Sequence, residues 1–294
     1  LDADEELEVA SRQRLRPRLD ATDTDALRIC VRSFTPPDSV VAYQDSFQVR
    51  LFRNRPQYRF EQIVHNQISP SIRRAGGKIS DEPSLICWHY GYMGRTVQGN
   101  ADRYQRSLIM LEQAVNATPK NPYLNAKLGI LYYHLGDYSL AYDYLYRLIT
   151  ELNAQELDLE SLHEALLTLA MLAIRQGYFE LAVQSAQAAH DIVPADSPAG
   201  LSALSTLARA YASLGEGHLR LAERLQSEAA LALPHIEKGH QALEQARQHF
   251  SQLLGFPGLR PEAKVSVQAD LELCQAMLAA ILSLRLRLLA LKSS

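Results

Sequence analysis

Leu128-Gly129, Tyr132, Leu135-Gly136-Asp137-Tyr138 and Ala141 set a pattern that the chain repeats. A second copy reads Ala170, Ala173, Gln176-Gly177-Tyr178-Phe179, Ala182, Ala186 and then Pro194, and a third reads Leu207-Ala208, Tyr211, Leu214-Gly215-Glu216 and Ala222. Small residues at helical spacing let two antiparallel helices approach closely. Gly136, Gly177 and Gly215 each follow an apolar-periodic run, where a helix end needs a left-handed residue. Each copy therefore predicts a helix, a glycine turn and a second helix.

This pattern resembles the tetratricopeptide repeat, whose helix pairs stack into a solenoid. Upstream, Tyr104, Leu108 and Leu111 read as the second helix of a preceding half-repeat, punctuated by Pro119 and Pro122. The step from Gly136 to Gly177 exceeds the usual repeat of about 34 residues, so the stretch Asn153 to Asp158 is expected to form a longer connection. Beyond Leu233, Pro234 is expected to break a helix, with a further helix from His235 to Leu254. The loop Gly255-Phe256-Pro257-Gly258 follows, and Arg260-Pro261-Glu262 opens a last helix toward Leu291. Tyr132, Tyr133, Tyr142, Tyr144 and Tyr146 cluster on the first full repeat, mostly as packing between helices, with one or two lining a groove. Residues 101–294 thus read as an all-α solenoid with C-terminal capping helices.

The totals exclude several classes. A net charge of −3 leaves no basic footprint for a nucleic-acid partner. Three scattered cysteines, Cys30, Cys87 and Cys274, form no metal-type pair and read as reduced thiols in the cytoplasm. No stretch reads as long and apolar enough to span a bilayer. The nearest, Ala276 to Leu291, is interrupted by Arg285 and Arg287. The run Leu282 to Leu289 suits a capping helix packed on the last repeat or, functionally, a membrane-surface or self-association helix, and homo-oligomers through the solenoid are a further expectation.

Residues 1–100 read as mixed α+β. A helix is expected over Glu5 to Leu15, broken near Pro17. Leu27, Ile29 and Val31 alternate with polar residues, as do Phe47, Val49 and Leu51, predicting an antiparallel strand pair. Ser69-Pro70 opens a short helix that Gly76-Gly77 closes, and Leu85-Ile86-Cys87-Trp88 is a short strand leading to His89.

Three landmarks in this region occur in order: Leu1-Asp2-Ala3-Asp4-Glu5-Glu6-Leu7; Arg50-Leu51-Phe52-Arg53-Asn54-Arg55-Pro56 with Tyr58-Arg59-Phe60-Glu61 and Val64-His65; and His89-Tyr90-Gly91-Tyr92. Together they resemble family 2 glycosyltransferases of the GT-A fold that carry tetratricopeptide tails. The resemblance implies that residues 1–100 are the C-terminal half of a catalytic domain moving a sugar from a nucleotide-diphosphate donor to a protein, peptide or glycan acceptor. It implies Asp2 and Asp4 as an Asp-x-Asp pair that, with His89, holds Mn²⁺ or Mg²⁺ against the leaving diphosphate. Arg53 and Arg59 would contact the donor. The acceptor base would fall near His65, where the family has His-Glu and this chain has His65-Asn66, leaving His65 or Glu61 to substitute.

Plainer readings stand beside these roles. The acidic opening would favour a helix N-terminus, His89 would pack against its aromatic neighbours, and the arginines would lie exposed on strands. The resemblance also implies a nucleotide-binding half ahead of Leu1, which this sequence lacks, so these residues are expected to show no transfer activity. The alternative is a non-enzymatic adaptor in which residues 1–100 cap a peptide-binding solenoid.

Overall fold

The structure is a computed structural model that describes residues 1–34, 43–61, 68–91 and 97–292. Its contacts divide into two compact units, one reaching Leu124 and the other running from Asn125.

The first unit is built on a four-stranded sheet of β1 (Glu5–Leu7), β2 (Ala26–Phe34), β3 (Tyr43–Phe52) and β4 (Ile79–His89), in the order β1-β4-β2-β3. β2 pairs antiparallel with β3 and parallel with β4, and β1 pairs antiparallel with β4. Leu27, Ile29 and Val31 project to one face, where they meet Leu85 and Cys87 of β4 and Leu15 of helix α1 (Val9–Ala21). Ala26 lies in a second cluster, against Ile68, Tyr58 and Ile72 of α2 (Ser69–Arg74). Gly76 ends α2 with φ 73°, a backbone that only glycine adopts without strain.

Two local expectations change here. Glu5 to Leu7 is strand rather than helix, because it pairs antiparallel with His89 to Cys87 at the end of β4. Pro17 lies inside α1 instead of ending it. Helix α3 (Val97–Ala117) completes the unit and ends just before Pro119.

The second unit is a succession of helices: α4 (Pro122–Leu135), α5 (Tyr138–Thr150), α6 (Leu159–Gln176), α7 (Phe179–Asp191), α8 (Pro198–Arg224), α9 (Ala229–Leu254) and α10 (Pro261–Lys292). Asp137, Asp158 and Ser197 cap α5, α6 and α8 by accepting from backbone N–H groups three residues on. Gly136 and Gly177 sit between paired helices at φ 82° and 81°. The alanines of the repeat, Ala141, Ala170, Ala173, Ala182, Ala186, Ala208 and Ala222, are fully buried where helices cross. A Cβ on Gly129 would lie 2.8 Å from Leu145 Cγ, so glycine sets the distance between α4 and α5. A single turn of 3₁₀ helix, Ala154–Glu156, fills the longer connection.

Gly215 does not end a helix. α8 runs through it to Arg224, because this glycine is buried at the crossing with α9, where a Cβ would meet Leu243 Cγ at 2.5 Å. Pro234 likewise lies within α9, in its second turn, rather than breaking it. α10 is, by length and composition, apolar enough to cross a membrane, contrary to the expectation from its two arginines. One face of it nevertheless belongs to the core: Val267, Cys274, Ile281 and Leu288 pack in the cluster that holds Ile236, Leu243 and Phe250 of α9. The fold is therefore a mostly helical chain ending in a solenoid of tetratricopeptide type, preceded by a small mixed sheet.

Candidate functional site

In the first unit, the register Glu5↔His89 places the chain start beside the end of β4. Asp4 and His89 are brought together, with Oδ2 3.6 Å from Nε2, and Ser33 Oγ lies 3.0 Å from the other ring nitrogen, Nδ1. Gly91 is needed for this approach, since a Cβ there would fall 2.3 Å from His89 Nε2 and 2.8 Å from Asp4 Oδ2.

Asp2 turns elsewhere. It precedes the strand, where an i, i+2 pair no longer shares a face, and its carboxylate lies 3.9 Å from Arg50. Arg53 donates to the carbonyls of Thr22 and Thr24, tying the end of β3 to the segment before β2. Arg59 donates to the carbonyl of Tyr58, and Glu61 pairs with Arg74. His65 and Asn66 lie outside the described residues.

Sequence reasoning missed Glu5. Its side chain is only 2% exposed and accepts two hydrogen bonds from Arg50, at 2.5 and 3.0 Å. Burial works against its ionised form, but the Arg50 guanidinium and the Asp2 backbone N–H together outweigh burial and hold the carboxyl below its ordinary value. Also unread was an aromatic stack in which Phe34 lies 5.4 Å from Trp88 and 5.5 Å from Tyr90. The alternation of β2 and β4 carried that signal.

The second unit presents a concave surface. A cavity of about 360 Å³ opens between α6, α8 and α10. Met171 and Ile174 come from α6, Ala212 and Glu216 from α8, Leu273 and Met277 from α10. The two positions stand at i, i+3 on α6 and at i, i+4 on α8 and α10, and so share one face of each helix. Cross-helix bonds stitch the surface together. Lys127 of α4 reaches Glu164 of α6 at 2.6 Å, the Tyr133 hydroxyl donates to Met171 sulfur at 3.7 Å, and Arg209 of α8 meets Asp270 of α10 at 3.1 Å. Away from it, Tyr142 stacks on Tyr146 and lies tilted against Tyr178, each with centroids 5.4 Å apart, joining α5 to the residue that precedes α7.

No family model matches the chain. A TPR repeat-containing protein of Synechococcus elongatus is 32% identical over 241 residues, 80% of this chain. The chain is similar to a TPR repeat protein. It spans 57% of that relative's length. Among solved structures, MamA from Desulfovibrio magneticus is 18% identical, with a TM-score of 0.31 over 64% of this chain and 89% of its own. The C-terminal part of a TPR repeat-containing protein from Cytophaga hutchinsonii is 16% identical, with a TM-score of 0.29 over 63% and 75%. Likenesses of this size carry no weight on function.

These findings correct the glycosyltransferase resemblance. The similarity that extends over most of the chain is to a TPR repeat protein, not to a GT-A enzyme, and the donor and transfer chemistry drawn from that resemblance falls with it. The Mn²⁺ or Mg²⁺ expectation is corrected too. Among the described residues no three His, Cys, Asp or Glu side chains are grouped to hold an ion, because Asp2 diverges toward Arg50 while Asp4 faces His89.

Proposed function

We propose that the chain is a non-enzymatic TPR-type scaffold that holds a segment of a protein partner on the concave surface of α6, α8 and α10. The observation that supports this reading is the cavity itself. It is bounded by Met171 and Leu273, which the fold leaves facing solvent, and by Met277, half-buried against the core, beside an ion pair, Arg209–Asp270, suited to orienting a bound backbone. Thioether side chains adapt to varied apolar partners at little conformational cost, and a cavity of this size falls in the range that accepts an inserted apolar side chain. Stacked helix pairs supply the rigidity that such a surface needs. The three thiols, free and buried, support a cytoplasmic setting.

Panning a random dodecapeptide library on the full chain tests the reading. Selected peptides should carry an apolar anchor, and their affinity should fall at least roughly tenfold in Leu273→Glu, the loss expected when a charge enters an apolar contact. Tyr146→Ala, on α5, should bind them like the parent. Peptides that bind Leu273→Glu unchanged would refute the concave surface as their site.

A further inference from the structure

A second constellation lies away from the cavity, along the seam between α8 and α9. Four residues join these helices, so they pack as an antiparallel pair. His218, toward the end of α8, and His235, near the start of α9, meet across the seam. Their Nδ1 atoms are 3.2 Å apart, and their ring centroids are 5.4 Å apart at 34°. The backbone sets this approach. A Cβ on Gly239, one turn along α9 from His235, would lie 3.1 Å from His218 Cβ, and a Cβ on Gly217 would lie 2.9 Å from Phe179 Cε2 of α7. Beside the two rings, Leu219 and Ala222 of α8 and Ala232 and Ile236 of α9 are buried in one core cluster, which holds the histidines on a rigid frame. Both rings stay half-buried, within reach of solvent.

In the chain alone, one ring donates its N–H to the other. The same separation suits two ligands of one metal ion. Donors about 2.0–2.1 Å from Zn²⁺ stand about 3.3–3.4 Å apart at the tetrahedral angle. At right angles, as Cu²⁺ or Ni²⁺ prefers, they stand about 2.8–3.0 Å apart. The observed 3.2 Å falls between these.

We infer that His218 and His235 together bind one divalent ion of the Zn²⁺, Ni²⁺ or Cu²⁺ class, which replaces the proton between their Nδ1 atoms. That proton passes to solvent. Imidazole suits these ions, whereas Mg²⁺ and Ca²⁺ take oxygen donors. The pair shares no residue with Asp2, Asp4 and His89. Among the described residues no third His, Cys, Asp or Glu is grouped with it, so water completes the coordination. Glu180 of α7 favours positive charge at His218 and Lys238 of α9 opposes it, so the surroundings largely offset. Bound there, the ion clamps α8 to α9. The inference stands apart from the cavity and its peptide.

Zinc titration of the full, untagged chain is the test, followed by long-range ¹H–¹⁵N NMR of its nine histidines. The ring-nitrogen signals of His218 and His235 should shift together and saturate at one equivalent. Mg²⁺ at the same concentration should move neither. His218→Asn and His235→Asn assign the signals, and each should weaken Zn²⁺ binding in calorimetry at least roughly tenfold, the least that losing even a supporting residue costs a metal site. His240→Asn, on the same helix as His235, should bind like the parent. Zn²⁺ at a hundredfold excess over its dissociation constant should raise the parent's melting temperature by about 5–10 °C and leave either pair variant unchanged. A parent that binds no Zn²⁺ at about 1 mM overturns the proposal. So does Zn²⁺ that shifts other histidines and leaves these two in place, or binding retained in either pair variant. The NMR signals are read on the parent, so they decide the matter even where a variant fails to fold.

Discussion

Replacing Gly215 with alanine should destabilise the solenoid even though alanine is the better helix former. Within a helix the exchange would by itself add about 1 kcal/mol of stability. Against this, the new Cβ would stand 2.5 Å from Leu243 Cγ, 2.8 Å from its Cδ2 and 3.2 Å from the Gly239 carbonyl oxygen. Leu243 is fully buried, so it yields only by pushing α9 away from α8. Overpacking of this kind costs about 2–3 kcal/mol, leaving a net loss of about 1–2 kcal/mol. For a unit of this size that lowers the melting temperature by roughly 2–8 °C, read by far-ultraviolet circular dichroism. Leu243→Ala alone should cost about 2–5 kcal/mol. The double variant should cost less than the sum by at least about 1 kcal/mol, because the smaller side chain leaves room for the Cβ. Additivity within about 0.5 kcal/mol, or a stabilised single variant, would refute the close crossing.

Gly136→Ala tests the opposite situation. Its φ of 82° is left-handed and a Cβ there meets nothing within 4 Å, so backbone strain alone should cost about 1–2 kcal/mol, and no second-site change should relieve it. Glu5→Gln strips the negative partner from Arg50 at a buried position and should cost the sheet unit about 3–5 kcal/mol in urea unfolding; a loss under about 1 kcal/mol would show the pair to be solvated. His163 is buried on α6, and burial pushes its pKa below the ordinary 6.5. The unfolded chain then binds more protons than the folded one as pH falls below 6.5, so stability should decline from there downward. His163→Gln should flatten that decline, and an unchanged slope would exclude this histidine as its source.

The repeat was legible because its signals are local. Gly136 and Gly177 mark turns by their own backbone conformation, and the buried alanines follow helical spacing. Gly215 carried the same sequence signature for a different reason: its missing Cβ makes room for α9, a contact 28 residues away that no local pattern encodes. The strand pair β2–β3 was readable from alternation. β1 was not, since three residues acquire strand geometry only by pairing with β4, more than eighty positions later. At the chain start, the Asp2–Asp4 spacing suggested a shared ligand. The turn that holds them sends one carboxylate to Arg50 and the other to His89, and only tertiary structure sets that divergence. A groove was expected of the solenoid, but the residues that line the cavity escaped the sequence reading, because Met171, Ala212 and Leu273 are ordinary helix residues until stacking turns them the same way.

Methyl-labelled methionine NMR tests that surface most directly. The chain has four methionines; Met171 and Met277 line the cavity, while Met110 lies on α3 in the other unit. On titration with a peptide selected by panning, the Met171 and Met277 methyl signals should shift together and saturate at one concentration, with Met110 unmoved. A bound peptide that leaves Met171 and Met277 in place would contradict the account.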